Sequence, residues 1–278
     1  VKSKIEKDDY GLYSRKDSLK NISDEELHIH SFKSRFVFEG GEYEVYTQFN
    51  SALNESEGAW QSLETSVMGS SQSTRTLQGA TPFFVLWNKQ SNRGIVFHLL
   101  PNCAWEYKIT RLALAAKNSK VLVEMGVMDY NLNISVKPGE QIDFPEILCY
   151  ETQNKLDFDC YKLHNYMHTN YPRKNMPMIF NSWMYRFTNF TTDLLFEQAE
   201  YAAKLGLEYF VIDVGWFGDG IWFSNVGNWR ESLSGGFRGR MKELADKVRS
   251  LGMKFGLWFE VSRGHEGTAA INNHREYY

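Results

Sequence analysis

TDLLFEQAEYAAKLGLEYFVID, Thr192 to Asp213, and RMKELADKVRSLGMKFGLWFE, Arg240 to Glu260, repeat one pattern. Each is an amphipathic helix, a glycine, and a nearly unbroken apolar run that ends on a carboxylate. Apolar runs of this kind suit a parallel sheet covered on both faces, where neither face needs polar residues for water. Helix, glycine and strand repeated at this spacing read as βα units. In the first helix Leu195, Ala199 and Ala202 share a face, Thr192-Asp193 offers an N-cap pair, and Gly206 suits the position just past the C-terminus. In the second, Met241, Leu244, Ala245, Val248 and Leu251 recur at helical spacing and Gly252 closes the segment. A third strand, MIFNSW at Met178–Trp183, precedes both copies. The expected strands are therefore Met178–Trp183, Leu207–Asp213 and Lys254–Glu260. Ligands of parallel α/β folds bind where the strands end, which makes this rim the expected functional edge.

Upstream the pattern changes. From His28 the chain reads as short alternating strands: LHIHSF, SRFVFEG, EYEVYTQF, PFFVLWNKQSNRGIVFHLL, CAWEYKITRLAL, SKVLVEMGVMD and LNISVKPGEQIDFPEILCYE. Ser91–Gly94 and Lys137–Glu140 are turn sequences, and Gly40-Gly41 separates two strands as a hairpin turn would. Many short strands broken by turns predict an antiparallel sandwich. The polar first twenty residues read as irregular or edge structure. A helix is expected over Lys155–Thr169, with Leu156, Cys160, Leu163 and Met167 on one face. YPRKNMP then reads as a linker, giving domains over 1–174 and 175–278.

The chain has 278 residues and a formal net charge of −3. It shows no basic excess, so nothing favours nucleic acid or an anionic membrane. No apolar run approaches the length of a membrane span, and no signal peptide is visible. Cys103, Cys149 and Cys160 are odd in number and lack metal-ligand spacing, which favours reduced thiols and a cytoplasmic location. Aromatics make up 15% of the chain; sugar clefts and packed β cores both use them.

The chemistry-bearing candidates cluster near the strand ends. Asp213, followed by Gly215-Trp216, could accept hydrogen bonds from sugar hydroxyls or act as acid or base; a helix-capping or arginine-paired carboxylate is the competing reading. Trp183, Trp216, Trp229 and Trp258 fall at or just beyond strand ends. There an indole can stack on a sugar face and donate its N–H to a hydroxyl, or simply pack the rim. Glu260 reads as a partner for a cationic side chain. FGDGIWFSNVGNWRES is a long loop of the kind that carries function in compact α/β domains. His28, His30 and His98 lie on strands without a carboxylate or cysteine cluster at metal spacing, which favours hydrogen-bonded strand residues over a metal or catalytic site. GSSQSTRTLQG, Gly69–Gly79, is either a surface loop or one that reaches toward an active site.

The run FVIDVGWFGDG…VGNWRES…GGFRGRMKELADKVRSLGMKFGLWFE resembles the α-galactosidases of glycoside hydrolase family 36. MIFNSW looks like that family's first-strand Asn-x-Trp motif, GSSQSTRTLQGATPFFVLW its serine-rich loop and Pro-Phe-Phe strand, and VKPGEQIDFPEILCYE the end of its N-terminal β-supersandwich. The resemblance implies an antiparallel β-supersandwich followed by the first three βα units of a (β/α)8 barrel, with the rest of the barrel outside the chain. It also implies a retaining α-galactosidase acting on α-galactoside oligosaccharides. α-N-Acetylgalactosaminidase activity, galactosyl transfer, or sugar binding without catalysis are the alternatives. The nucleophile and the acid/base, two Asp residues after the fourth and sixth strands, are expected beyond residue 278, so this chain is expected to be inactive by itself. By resemblance Trp183, Asp213 and Trp258 belong to the galactose subsite, no cofactor or metal is used, and the parent enzyme assembles as a homo-oligomer, often a tetramer.

Three places depart from the family pattern. Val214 stands where many members carry a second Asp, and a lost charge-assisted hydrogen bond would cost about 1.5–3 kcal/mol of sugar binding. Asn228 stands where Gly-Asp-Trp is common. VSRGHEG, from Val261, replaces the usual Pro-Glu continuation after Glu260.

Overall fold

The computed structural model describes residues 1–51, 54–72, 79–112, 119–172, 176–261 and 263–277. The chain divides into two compact units, Val1–Pro172 and Arg173–Tyr278.

The first unit carries β1 (Lys2–Lys7), β2 (Leu12–Lys20), β3 (Leu27–Ile29), β4 (Lys33–Glu39), β5 (Tyr43–Ser51), β6 (Asn54–Ser62) and β7 (Ser66–Ser71). It continues with β8 (Gly79–Asn88), β9 (Arg93–Leu100), β10 (Trp105–Leu112), β11 (Lys120–Val127), β12 (Ile134–Val136), β13 (Gln141–Asp143), β14 (Glu146–Thr152) and helix α1 (Tyr161–Asn170). Among the described residues, the large sheet has the order β1-β2-β14-β9-β8-β5-β6, with β13 also on β2, and a four-stranded sheet has the order β4-β11-β10-β7. Neighbouring strands within both are antiparallel.

Alternation along the strands explains the layering, because successive side chains leave opposite faces. On β8, β9 and β14 the residues Phe84, Leu86, Phe97, Leu99 and Ile147 meet Tyr107, Ile109, Val121, Val123 and Met125 of the smaller sheet in one core. Their neighbours Val85, Val96, Leu148 and Tyr150 turn the other way and pack with Leu163, Tyr166 and Met167 of α1. The result is the expected antiparallel sandwich, with a helix on the outer face of its larger sheet.

Four local expectations change. The polar N-terminus is not irregular: β1 is an exposed edge strand, but β2 lies inside the sheet between β1 and β14. Its inward polar residues are matched, Asp17 by Arg15 at 3.0 Å and by Ser34, and Ser14 by Glu146, so burial leaves no stranded charge. Gly40-Gly41 is not a hairpin turn, since β4 and β5 belong to different sheets. The chain crosses between layers there, and a Cβ on Gly40 would lie 1.8 Å from Ser119 Oγ. The helix begins at Tyr161, not Lys155. Phe158 and Asp159 adopt positive φ, 54° and 52°, and Asp159 is tied back to Thr152 Oγ1 at 2.9 Å, which holds the preceding residues in turns and leaves Leu156 exposed. In Gly69–Gly79, the first three residues belong to β7 and Gly79 opens β8; residues 73–78 lie outside the described residues, as do 173–175 of the linker.

The second unit carries β15 (Ile179–Asn181), α2 (Trp183–Arg186), α3 (Thr192–Lys204), β16 (Tyr209–Ile212), α4 (Met241–Ser250), β17 (Lys254–Leu257) and α5 (Ala269–Asn273). The strands are parallel in the order β15-β16-β17, with Phe180, Phe210 and Phe255 in register. Leu195, Ala199 and Ala202 of α3 and Leu244 and Val248 of α4 bury against Phe210 and Ile212, the faces that the helical spacing picks out. Helix α3 is capped one residue earlier than expected: Thr191 Oγ1 accepts from Leu194 N at 3.3 Å. Gly206 and Gly252 take positive φ, 78° and 85°, past the two helices, as glycine does after helix C-termini. Each strand stops before the residue that the apolar runs suggest. Trp183, Asp213, Trp258 and Glu260 lie beyond the last paired residues, where the backbone turns away from the sheet.

Candidate functional site

The strand ends are stitched together by short polar side chains. Asn181, the last residue of β15, accepts from Trp183 N through Oδ1 at 2.8 Å, an Asx turn that bends the chain into α2. Its Nδ2 donates to Asp213 Oδ2 at 2.9 Å. Ser182, 1% exposed, donates its N–H to Val211 O at 3.1 Å and accepts from Asp213 N through Oγ at 3.0 Å. Trp258 N donates to Ile212 O at 2.8 Å. Asp213 is thus fixed at the head of the central strand, half-buried, with Oδ1 also accepting from Val214 N at 2.8 Å. A carboxylate oxygen has more than one acceptor direction, so Asp213 can still receive hydroxyl groups from a ligand.

The loop between β16 and α4 closes over this edge. Asp219 Oδ1 accepts from Ser232 Oγ, Leu233 N, Ser234 N and Ser234 Oγ at 2.8–3.0 Å. Those bonds, led by the Ser234 N–H, hold its carboxyl down at a pKa of about 2. Asn225 Nδ2 donates to Asp219 O at 2.9 Å and Ile221 O at 3.0 Å. Asn228 donates to Asn225 Oδ1 at 3.2 Å and accepts from Ala269 N at 2.9 Å. An Asp at 228 could accept but not donate, so the amide suits this bridge. Glu231 Oε1 takes up Met241 N at 2.6 Å, one of the free N–H groups at the start of α4.

Five indoles gather on this edge. Trp183 stands edge-on to Trp222, ring centroids 6.3 Å apart at 78°. Trp222 is likewise perpendicular to Trp258, at 6.5 Å and 86°. Trp258 meets Trp229 at 6.4 Å and stacks near Phe217 at 6.3 Å and 19°. Trp183, Trp229 and Trp258 are half-buried, whereas Trp216 is only 3% exposed and its Nε1 donates to Trp258 O at 2.9 Å. The structure therefore brings Trp183, Asp213, Trp229 and Trp258 to one rim and sets Trp216 behind it as packing. Val214 is 2% exposed and packs in the core of the unit. Glu260 is buried, with Arg263 Nη2 3.5 Å from Oε2. Sequence reasoning passed over Asn181, Ser182 and Trp222. The first two were legible only as part of the Asn-x-Trp motif, and Trp222 is one apolar residue among several in the loop.

The histidines take the quieter reading. His28 and His30 are exposed or nearly so, hydrogen-bonded to Asn133 Oδ1 and Leu132 O. His98 packs on Phe83 at 4.7 Å, and burial pushes its imidazole down to about 4. Among the described residues, no group of His, Cys, Asp or Glu is arranged to hold a metal ion, and no helix is long and apolar enough to cross a membrane.

A sequence model of the Melibiase family matches residues 143–277. Alpha-galactosidase Mel36A of Lactobacillus acidophilus is 33% identical over 167 residues, 57% of this chain and 22% of that protein. Alpha-galactosidase AgaA of Geobacillus stearothermophilus is 30% identical over 168 residues, 56% of this chain and 22% of that protein. Among solved structures, the α-galactosidase from Lactobacillus brevis superposes with a TM-score of 0.82 at 19% identity, covering 96% of this chain and 37% of that one. The GH36 α-galactosidase AgaB from Geobacillus stearothermophilus gives 0.81 at 21%, over 96% and 38%. At these identities the structural likeness speaks for the fold alone, and the chain spans about a fifth of the length of the curated relatives. Sequence similarity, the family match over residues 143–277 and the shared fold point the same way: the chain is similar to the melibiases and carries the fold of the α-galactosidases of glycoside hydrolase family 36.

Proposed function

We propose that this chain forms the sugar-binding wall of a retaining α-galactosidase that hydrolyses terminal α-galactosyl residues of oligosaccharides. The observation that carries the reading is the rim itself: Asp213, fixed by Asn181 and Ser182, with Trp183 and Trp258 at the flanking strand ends. A carboxylate with spare acceptor directions beside indole faces is what a pyranose demands, since the ring presents hydroxyls at its edge and C–H groups on its face. Complexes of a relative support it at one remove: AgaA variants of Geobacillus stearothermophilus have been solved with stachyose and with raffinose.

The roles divide as follows. Asp213 accepts galactose hydroxyls, Trp183, Trp229 and Trp258 wall the ring, and Trp216 holds Trp258 through its carbonyl. The chemistry of a retaining glycosidase needs a nucleophilic carboxylate and an acid/base carboxyl about 5–5.5 Å apart; the resemblance assigns these to later strands of the barrel. Homo-oligomeric assembly and a cytoplasmic location remain parts of the same proposal.

The test is binding of galactose and of p-nitrophenyl α-galactoside to the 278-residue chain, read by saturation-transfer NMR, with glucose as the epimeric control. Galactose-selective binding that Asp213→Ala removes is the expected result. Equal binding of glucose, or unchanged binding in the Asp213→Ala chain, sinks the reading.

A further inference from the structure

Asn189 N donates to Arg186 O at 2.9 Å, which closes a β-turn over Arg186–Asn189. Phe187, the second residue of that turn, has φ 55° and ψ −117°. These are the angles of the second position of a type II′ turn, about +60° and about −120°, where the Cβ of an L side chain is crowded and glycine is the usual occupant. A bulky residue there is a genuine outlier. Such strain persists only where the surroundings enforce it.

The chain is held on both sides of the turn. Before it, Asn181 bends the backbone into α2, and Phe187 N donates to Trp183 O at 2.9 Å, so the single helical turn runs straight into the strained residue. After it, Phe190 is 4% exposed and lies against Gly236, where a Cβ would fall 2.3 Å from the Phe190 carbonyl oxygen. Thr192 N and Oγ1 both donate to Gly236 O at 3.1 Å. Between these anchors Thr188 packs on the backbone two residues past Asp213: a Cβ on Gly215 would lie 3.3 Å from Thr188 Cβ. The turn is thus pinned beside the head of the central strand. What the strained backbone secures is the Phe187 ring, whose centroid stands 4.9 Å from that of Trp183 at 83°, an edge-on aromatic pair. Relaxing Phe187 to negative φ would swing its Cβ, and the ring with it, away from the indole.

We propose that Phe187 is a positioning residue, kept in strained backbone so that its ring sets the orientation of the Trp183 indole. Glycine would suit the turn better and would leave Trp183 without that contact. The inference rests on the proposed galactoside reading for what Trp183 does and adds how its ring is held. Phe187 acts through the indole and does not touch the sugar.

Three variants of the 278-residue chain test this: Phe187→Gly, Phe187→Ala and Phe187→Tyr. Gly and Ala both remove the ring, so the difference between them isolates the backbone. At negative φ alanine is the more stabilising of the two, and at positive φ the order inverts. The urea midpoint of the second unit, followed by hydrogen exchange in peptides of α3, is therefore expected to be higher in Phe187→Gly than in Phe187→Ala. Trp183 is read directly from its fluorine resonance in chain labelled with 5-fluorotryptophan, assigned with Trp183→Phe. That line moves in the Gly and Ala variants and stays in Phe187→Tyr, which keeps the ring. Galactose binds about fivefold more weakly to the Gly and Ala variants, the worth of one aromatic pair, and binds Phe187→Tyr as it does the parent. A Gly variant no more stable than the Ala variant, a Trp183 line unmoved in both, or an unchanged galactose affinity in both overturns the proposal. A parent chain that binds no galactose overturns the galactoside reading instead, and the midpoint order and the Trp183 line then decide on Phe187 without it.

Discussion

Replacing Trp216 by Phe distinguishes a buttress from a sugar platform. Trp216 is 3% exposed, its Nε1 donates to Trp258 O at 2.9 Å, and its ring meets Phe259 at 5.0 Å and Phe217 at 5.2 Å. The phenyl variant keeps the aromatic contacts in part but cannot donate. A buried acceptor left without its donor costs about 1–3 kcal/mol. The smaller ring removes roughly 40 Å3, and at about 24 cal/mol per Å3 that adds about 1 kcal/mol. The expected loss is thus about 2–4 kcal/mol in the second unit, a shift of about 1–2 M urea for a slope near 2 kcal/mol/M. Global fluorescence would mix in Trp60, Trp87 and Trp105 of the first unit. Hydrogen exchange read by mass spectrometry on peptides spanning β16 and β17 reports the opening free energy locally. Trp258→Phe serves as the comparison. It preserves the backbone carbonyl and its bond to Trp216, so it should cost about 1 kcal/mol, from the ring alone, yet weaken sugar binding more. A Trp216→Phe loss below about 0.5 kcal/mol, or a larger loss in Trp258→Phe, would refute the buttress.

Three further outcomes are expected. Gly236→Ala places a Cβ 2.3 Å from Phe190 O, so it should destabilise the second unit by about 1–3 kcal/mol through overpacking, measured as a urea midpoint. Thr191→Ala removes the side-chain cap on Leu194 N and should cost about 0.5–2 kcal/mol, seen as faster exchange in the first turn of α3. His98 carries a pKa lowered from 6.5 to about 4 by burial. Between those values the unfolded chain binds the extra proton, so stability of the first unit rises with pH across that window. It should fall by on the order of 2 kcal/mol as pH drops from 7 to 4, and a His98→Leu chain should show a flatter profile in urea titrations at each pH. The Asp219 carboxyl titrates lower: its stabilising bonds are fully present above the unfolded value of 3.8 and are lost as pH falls through about 2, so the two groups separate on the pH axis.

The βα pattern was legible because each helix had to bury one stripe and each strand one run. Leu195, Ala199, Ala202, Leu244 and Val248 land where helical spacing puts them. The same reasoning misread Gly40-Gly41 because a pair of glycines states that backbones approach or turn, not which sheet receives the next strand. The close approach of Ser119, the residue just before β11 and some eighty positions later in the chain, goes with a crossing between sheets instead. Lys2–Lys7 is the edge strand that its polarity allowed, but the same reasoning misread Leu12–Lys20, since polar composition argues for exposure only when no partner is available. Asp17 and Ser14 found partners in Arg15, Ser34 and Glu146, the last far along the chain. The early start given to α1 had a local cause: left-handed backbone at Phe158 and Asp159 that apolar spacing cannot reveal.

The rim shows the limit from the other side. Carboxylates and indoles at strand ends were visible as types, but their exposure was not. Four tryptophans looked alike in the sequence, and the fold made one of them a donor to another's carbonyl. Which indole faces outward depends on the path of the loop from Phe217 to Gly236. That path depends on Asp219 meeting Ser232 and Ser234 and on Asn225 bridging its own turn. Those contacts are between short polar residues with no period and no apolar signature, so nothing in the hydrophobic pattern announces them. They nonetheless place Trp222 against both Trp183 and Trp258. The scaffold therefore follows from burial, which is periodic, while the wall of the site follows from hydrogen bonds, which are not. A relative with the same strands and a different loop would keep Asp213 at the head of its central strand and present a different set of rings around it.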